Sequence, residues 1–70
     1  MMRQQSGPGG QVAVRLRDPR ERRWRWVGDR STLTRRRSRA FTYPVAYAFV
    51  AEEVAQRARN SGLVAEVVPV

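Results

Sequence analysis

Hydrophobic and polar residues alternate along residues 11–17, which is the two-residue period of a β-strand with one apolar face. Residues 22–27 repeat this period, with Trp24 and Trp26 on one parity and arginines on the other. The turn-forming stretch 18–21 lies between them, and its Pro19 suits the first corner of a type I turn. The two segments and the turn predict a β-hairpin.

The pairing of this hairpin follows from where the indole rings are placed. If they face the core together with the valines and the leucine of the first strand, opposed residues must have numbers with an even sum. This rule pairs Leu16 with Trp24 and Val14 with Trp26. It also predicts that four arginines project together from the outer face, where opposed like charges cost about 0.2 to 1 kcal/mol per pair: Arg15, Arg17, Arg23 and Arg25.

Residues 31–39 combine a short β-type pattern around Leu33 with a run of arginines that breaks any alternation. We predict a short third strand or an extended loop here, after a turn at Gly28. The arginine run is a basic cluster of the kind found in nucleic-acid-binding arms. Its members are Arg35, Arg36, Arg37 and Arg39.

A helix is predicted over residues 43–60. Thr42 suits the N-cap, Pro44 suits the first turn, and Phe41 is placed to pack against Ala46. Gly62 follows as a stop signal. One side of the helix is apolar and is expected to pack on the sheet: Tyr47, Val50, Ala51, Val54, Ala55 and Ala58.

Residues 63–70 form an apolar terminal segment in which Glu66 is the single charged residue. We predict a strand whose Glu66 points away from the helix. The elements together predict an α+β fold, with one helix packed across an antiparallel sheet of three or four strands. We expect residues 11–70 to form a single domain, preceded by a disordered leader over residues 1–10.

The chain of 70 residues carries 14 basic side chains, all of them arginine, and 6 acidic ones, for a net charge of +8. Residues 15–39 hold eleven of the arginines against three acidic residues, so the positive charge is concentrated in the hairpin half. Arginine is the side chain best suited to bidentate contacts with phosphate, although a GC-rich genome also favours arginine over lysine.

Histidine and cysteine are absent, which excludes imidazole and thiol catalysis and the zinc sites built from those ligands. The neighbouring Glu52 and Glu53 point in different directions on a helix and form no acid–base pair. We therefore predict a protein that is not an enzyme and that has no catalytic residue, metal site or cofactor.

The leading functional hypothesis is a basic surface that contacts nucleic-acid phosphates, of DNA or RNA, through the hairpin arginines and the cluster at 35–39. The alternative is a solvated basic face that only confers solubility. Tryptophans interleaved with arginines are also typical of a stacking platform for single-stranded bases, but in so small a domain a core position is favoured for Trp24 and Trp26.

Phe49 lies on the polar side of the predicted helix, close to Val45, and we expect both side chains to be exposed. This pair is a candidate interface with a protein partner or with a second copy of the chain. The basic face is the candidate surface for an acidic host protein or a ribonucleoprotein. No apolar segment approaches the ~18 to 20 residues that span a bilayer. We expect no membrane partner and a cytoplasmic location.

An aromatic hairpin, a polar break, Thr42 with Pro44 at a helix start, a helix of small, acidic and basic residues and a valine-rich end follow one another over residues 11–70. In this order the chain resembles small uncharacterised open reading frames of GC-rich bacteria and their phages. The resemblance implies a phage or prophage origin. Phage genomes encode many compact inhibitors of host machinery, including anti-CRISPR proteins, but no binding or catalytic residue carries over.

Overall fold

The computed structural model describes residues 10–70, so the predicted leader lies outside the described residues except for Gly10. A five-stranded antiparallel sheet and one α-helix make up this part of the chain, which confirms the α+β class. The elements are β1 (Gln11–Arg17), β2 (Arg25–Val27), β3 (Leu33–Thr34), β4 (Thr42–Pro44), α1 (Ala48–Asn60) and β5 (Val64–Pro69). Short 3₁₀ turns occupy Asp29–Ser31, Arg37–Arg39 and Val45–Tyr47.

Strand β1 is the centre of the sheet and has the bounds that its alternation predicts. One of its edges pairs with β5 over residues 12–17. Its other edge is shared, because β4 pairs with the first half of β1 and β2 pairs with the second half. Strand β3 pairs with the edge of β2 that faces away from β1, and it is only two residues long. The segment 31–39 therefore contains a short third strand with turns on both sides.

The core lies between α1 and the face of the sheet formed by β1 and β5. Val14, Ala51 and Ala55 are fully buried there, and Ala65 is nearly so. Val27 of β2 completes the buried set, so the most buried side chains of the core are all alanine or valine. Half-buried neighbours complete the cluster: Val12, Leu16, Tyr43, Val54, Ala58 and Val67.

The predicted start of the helix is wrong. Residues 42–44 pair with β1 as strand β4, a 3₁₀ turn follows, and the α-helix begins only at Ala48. Tyr43 precedes a proline, and the ring of Pro44 disfavours helical backbone in the residue before it. Thr42 is therefore a strand residue and not an N-cap, and Phe41 stacks edge-on against Tyr43, with ring centroids 4.9 Å apart.

The end of the helix is as predicted, at Asn60. Gly62 follows with a φ of 90°, a left-handed conformation that glycine adopts without strain. Strand β5 then begins at Val64, and its Ala65 and Val67 face the helix. Glu66 alternates with them and points to the other face, as its charge predicts.

The predicted register of the hairpin is wrong by one residue. Arg15 lies opposite Trp26, and Leu16 lies opposite Arg25. Residues that face each other across a sheet share a face, so the tryptophans lie with Arg15 on the side away from α1. Neither indole ring enters the core, and both rings are half-buried.

The connection between β1 and β2 explains how this shift is accommodated. Strand β2 starts at Arg25 and not at Arg22, so the loop is longer than the hairpin pattern predicts. An oxygen of the Asp18 carboxylate accepts the backbone N–H of Arg20 at 2.8 Å, and the Asp18 carbonyl accepts that of Glu21 at 2.9 Å. The guanidinium of Arg17 donates to the Glu21 carbonyl at 2.9 Å and ties the loop back to β1.

Candidate nucleic-acid interface

The four hairpin arginines do not form one cationic face, contrary to the sequence prediction. The one-residue shift places Arg15 and Arg17 on the helix-free face of the sheet with both tryptophans. Arg25 shares the opposite face with Leu16, and Arg23 lies near it around the same clefts. The sheet thus places Arg15 and Arg25 on opposite faces, while Arg17 also lines the edge of a concavity that it shares with Arg23 and Arg25.

On the helix-free face the arginines have partners. The Nε of Arg15 donates to the Glu66 carboxylate at 2.6 Å, and the guanidinium forms an ion pair with it. The same guanidinium lies over the Trp24 ring, 4.3 Å from its centroid, and that of Arg17 lies 5.2 Å away. Cation–π contacts of this kind are worth about 0.5 to 2 kcal/mol, depending on how far water is excluded.

The other pair belongs to a concavity at the hairpin end of the molecule, which we call the arginine cleft. Its volume is about 390 Å³, and its lining residues are Glu21, Arg22, Arg23, Arg25 and Arg35. Arg22 and Arg23 come from the loop that leads into β2, Arg25 is the first residue of β2, and Arg35 directly follows β3. In the antiparallel pairing of β2 with β3, Trp26 lies opposite Thr34. When this register is continued by one residue, Arg35 lies beside Arg25.

Positive charge in the arginine cleft has no local compensation except Glu21. Among the described residues, ion pairs to carboxylates are formed by Arg15, Arg20 and Arg59, and none of these lines the cleft. Arg22, Arg23 and Arg35 are exposed, and Arg25 is half-buried. Several guanidinium groups around one cleft present the planar donor forks that match phosphate oxygens.

A second concavity of about 230 Å³ adjoins the first and shares Glu21, Arg23 and Arg25 with it. Leu16, Leu33 and Leu63 form its apolar part. Leu16 also packs against the core cluster, whereas Leu33 is exposed by 50%. The arginine cleft therefore has an apolar flank as well as charged walls.

The basic cluster at 35–39 is only partly gathered into this site. Arg35 lines the cleft, whereas Arg36, Arg37 and Arg39 belong to the exposed 3₁₀ turn and the residue before it. They form no ion pair with any carboxylate of the described residues. These three arginines do not line the cleft, but they add positive charge to the surface next to it.

The two residues predicted as a protein interface are exposed, as expected: Phe49 by 64% and Val45 by 49%. Tyr47 is also exposed, by 55%, contrary to its predicted place against the sheet. It lies in the 3₁₀ turn before the helix, and its ring centroid is 6.1 Å from that of Phe49. Tyr47 and Phe49 lie side by side, and Val45 is exposed in the turn that precedes them; we call these three residues at the start of α1 the apolar patch.

Arg22 lines the cleft although it was not predicted as a site residue. The sequence contains a signal for this role, because Arg22 directly precedes the hairpin arginine Arg23 in a stretch rich in charged residues. Its role depends on the late start of β2, which leaves residues 21–23 outside the strand, where they line the cleft. That start is set by tertiary pairing and not by the local pattern.

The acidic side chains within residues 10–70 do not gather into a group of three that could hold a metal ion. No helix of this range combines the length and apolar character needed to cross a bilayer.

In comparisons with known proteins, no family model, curated protein or solved structure matches the chain. A function has to be inferred from the geometry described above.

Proposed function

We propose that the chain is a non-enzymatic binding protein that contacts nucleic-acid phosphates through the arginine cleft. The observation that carries the proposal is the convergence of Arg22, Arg23, Arg25 and Arg35 on one concavity with a single carboxylate. The exposed Arg36, Arg37 and Arg39 extend the contact. The predicted face formed by Arg15, Arg17, Arg23 and Arg25 together is not part of the proposal.

Charge supports a polyanionic ligand. The chain has a net charge of +8, and opposed like charges destabilise a sheet. A ligand that brings several phosphates relieves this repulsion, and binding releases the counterions that the phosphates hold. Contacts to phosphate position a protein on nucleic acid without reading its sequence, so we expect little base specificity from the cleft.

The proposal includes no catalytic group and no cofactor, and it leaves DNA and RNA as alternatives. The cytoplasm stays the expected compartment, a prediction that depends on the sequence alone.

Salt dependence tests the proposal directly. Binding of a fluorescently labelled duplex is measured by anisotropy between about 50 and about 200 mM salt, where each phosphate contact contributes about −0.9 to the log–log slope. We expect a steep negative slope that becomes shallower by about 0.9 in Arg23→Gln and again in Arg35→Gln. Both side chains are exposed, so the substitutions spare the core.

Arg57→Gln is the matched control. Arg57 is an exposed helix arginine that does not line the cleft, and its substitution removes the same charge. The slope and affinity of this variant should equal those of the unchanged protein within error. A flat salt response, or an equal loss in Arg57→Gln and Arg23→Gln, would show that the cleft does not hold phosphates.

A second candidate function rests on the apolar patch of Val45, Tyr47 and Phe49. Exposed aromatic side chains in one patch favour a protein contact, as in a compact phage-type inhibitor of host machinery. A host lysate treated with nuclease separates the two functions. A stoichiometric protein partner that is retained by the protein and lost with Phe49→Asp supports this candidate, and the absence of any such partner removes it.

A further inference from the structure

We infer that the helix-free face of the sheet binds the unpaired bases of a single-stranded nucleic acid, with Trp26 as the stacking ring. The inference rests on the proposed function and narrows its ligand from nucleic acid in general to single strands. It reverses the sequence prediction that both tryptophans belong to the core.

Both indole rings lie on the face of the sheet away from α1. Trp26 lies opposite Arg15 on β1 and opposite Thr34 on β3, in the interior of the sheet and away from α1. Trp24 lies on the same face under the guanidinium groups of β1. The described residues contain one α-helix, and it packs on the other face.

Charged side chains of β1 and β5 surround the indole rings. A row across this face runs from Trp26 through Arg15 to Glu66. The carboxylate and the Trp24 ring hold the Arg15 guanidinium in a fixed position, and Arg17 lies beside it on the same strand. Aromatic rings that stack on bases, combined with cations that follow the backbone, are what sequence-tolerant single-strand binding requires.

The charge of this face favours a single strand as its occupant over a second copy of the chain or a duplex. A second copy of the chain would bring the same surface, on which Arg17 has no carboxylate partner among the described residues and Glu66 is already paired with Arg15. Two such faces would oppose uncompensated positive charge. A duplex keeps its bases stacked inside and offers no free base to an open sheet. A single strand offers both free bases and phosphates.

Intrinsic fluorescence gives a signal from this face alone, because Trp24 and Trp26 are the two tryptophans of the chain. We would titrate the full chain with oligothymidylate of about 12 nucleotides and with a duplex of similar phosphate number. The expected result is strong quenching by the single strand, little quenching by the duplex, and an affinity for the single strand at least about fivefold higher.

Substitutions at Trp26 make the test specific. Trp26→Leu should weaken single-strand binding about fivefold or more and leave duplex binding unchanged, while Trp26→Phe should restore most of the loss. Phe49→Leu, a matched loss of an exposed aromatic ring on the helix, should change neither affinity. Circular dichroism verifies that each variant is folded, and if Trp26→Leu is unfolded, Trp26→Phe and the quenching titration decide.

The possible outcomes separate the two proposals. Salt-dependent binding of both ligands with equal affinity and no quenching overturns the single-strand inference and leaves the phosphate cleft in place. Binding of neither ligand overturns both. A stable dimer in sedimentation equilibrium whose tryptophans are protected from the quencher acrylamide also overturns the inference, because the face is then occupied by a second copy.

Discussion

Two groups of arginines lie within a few residues of each other, and the sheet gives them opposite surroundings. On the helix-free face, Arg15 meets both a carboxylate and an indole ring. In the arginine cleft, Arg25 and Arg35 lie side by side among further arginines, and Glu21 is the one acidic residue of the lining. The charge of Arg15 is neutralised within the fold, whereas the arginines of the cleft have no such partner.

This difference shows that arginine content alone does not locate a binding surface. A guanidinium that stacks on an indole and pairs with an acid contributes to stability. A guanidinium whose nearest charged neighbours are other guanidinium groups raises the free energy of the folded state until an anion arrives. Substitutions on the two sides should therefore affect stability with opposite signs.

The largest effect is expected for Trp24→Ala. This substitution removes a half-buried ring and the contacts of two guanidinium groups with it, so we expect the free energy of unfolding to fall by about 2 kcal/mol. Urea denaturation measures the change. Arg35→Ala in the cleft is the comparison and should change the free energy of unfolding by less than about 0.5 kcal/mol. A similarly small change for Trp24→Ala would mean that the stacking of Arg15 and Arg17 on Trp24 does not stabilise the fold.

A smaller loss is expected for Glu66→Gln, which leaves Arg15 without its carboxylate. Both side chains of this pair are partly exposed, 41% for Glu66 and 32% for Arg15, so solvent screening limits the loss to about 0.5 to 1 kcal/mol. The loss should shrink as salt is added. Glu21→Gln, in the arginine cleft, is the matched control and should change stability by only a few tenths of a kcal/mol. Equal losses in the two variants would remove the distinction between the two surfaces.

A gain in stability is expected for Arg35→Gln in the absence of ligand. Removing one of two adjacent like charges should raise the free energy of unfolding by about 0.3 kcal/mol at low salt. Thermal melts at low salt and at about 0.5 M salt measure the gain, which screening should abolish. Arg57→Gln on the helix shows whether any loss of charge has this effect. A lower melting temperature for Arg35→Gln at low salt would contradict the proposed repulsion.

The smallest effect concerns the loop between the two surfaces, where Asp18 pairs with Arg20. Hydrogen bonds from the side chain and the backbone N–H of Arg20 hold the pKa of Asp18 below its ordinary value of 3.8. A depressed carboxyl pKa contributes stability above the unfolded-state pKa, and this contribution is lost as pH falls through the folded-state value.

The melting temperatures of the unchanged protein and Asp18→Asn should therefore differ near neutral pH. The difference should narrow as the pH falls below 3.8. Asparagine can keep the hydrogen bond to the backbone of residue 20, so this comparison isolates the charge. A difference that stays constant down to the lowest pH would assign the effect to the loop geometry instead.

Much of the fold could be predicted because its signals are local. The alternation of β1 gives its bounds, and Gly62 fixes the end of α1. The single charge of β5 shows which face of that strand meets α1, since Glu66 cannot lie against the apolar side of the helix. The exposure of Phe49 follows from its place on the helical wheel, since the helix continues through it.

The register of β2 could not be predicted, because the same alternation fits either orientation of the strand. The choice depends on what fills the core. Alanines of α1 pack directly on Val14 and leave the indole rings to the other face, where Arg15 and Glu66 meet them. The candidate site depends on this choice, since a one-residue slip exchanges the faces of Trp26 and Arg25.

Strand β4 was missed for a related reason. Its threonine and proline suit a helix start, and its pairing partner lies about thirty residues earlier in the chain. The Tyr43–Pro44 step was the available warning, since a residue before proline prefers extended backbone.

The pairing of β1 with β5 has a consequence for synthesis. The first strand of the described chain takes its longest ladder from the last one, between residues 12–17 and 64–69. During translation β1 is made before β5. The edge of β1 that pairs with β5 therefore stays unpaired while the intervening residues are synthesised. Such distant pairing slows folding and exposes an unpaired edge. We expect the domain to fold only after β5 has left the ribosome, so a translation pause before residue 64 would leave a chain prone to aggregation.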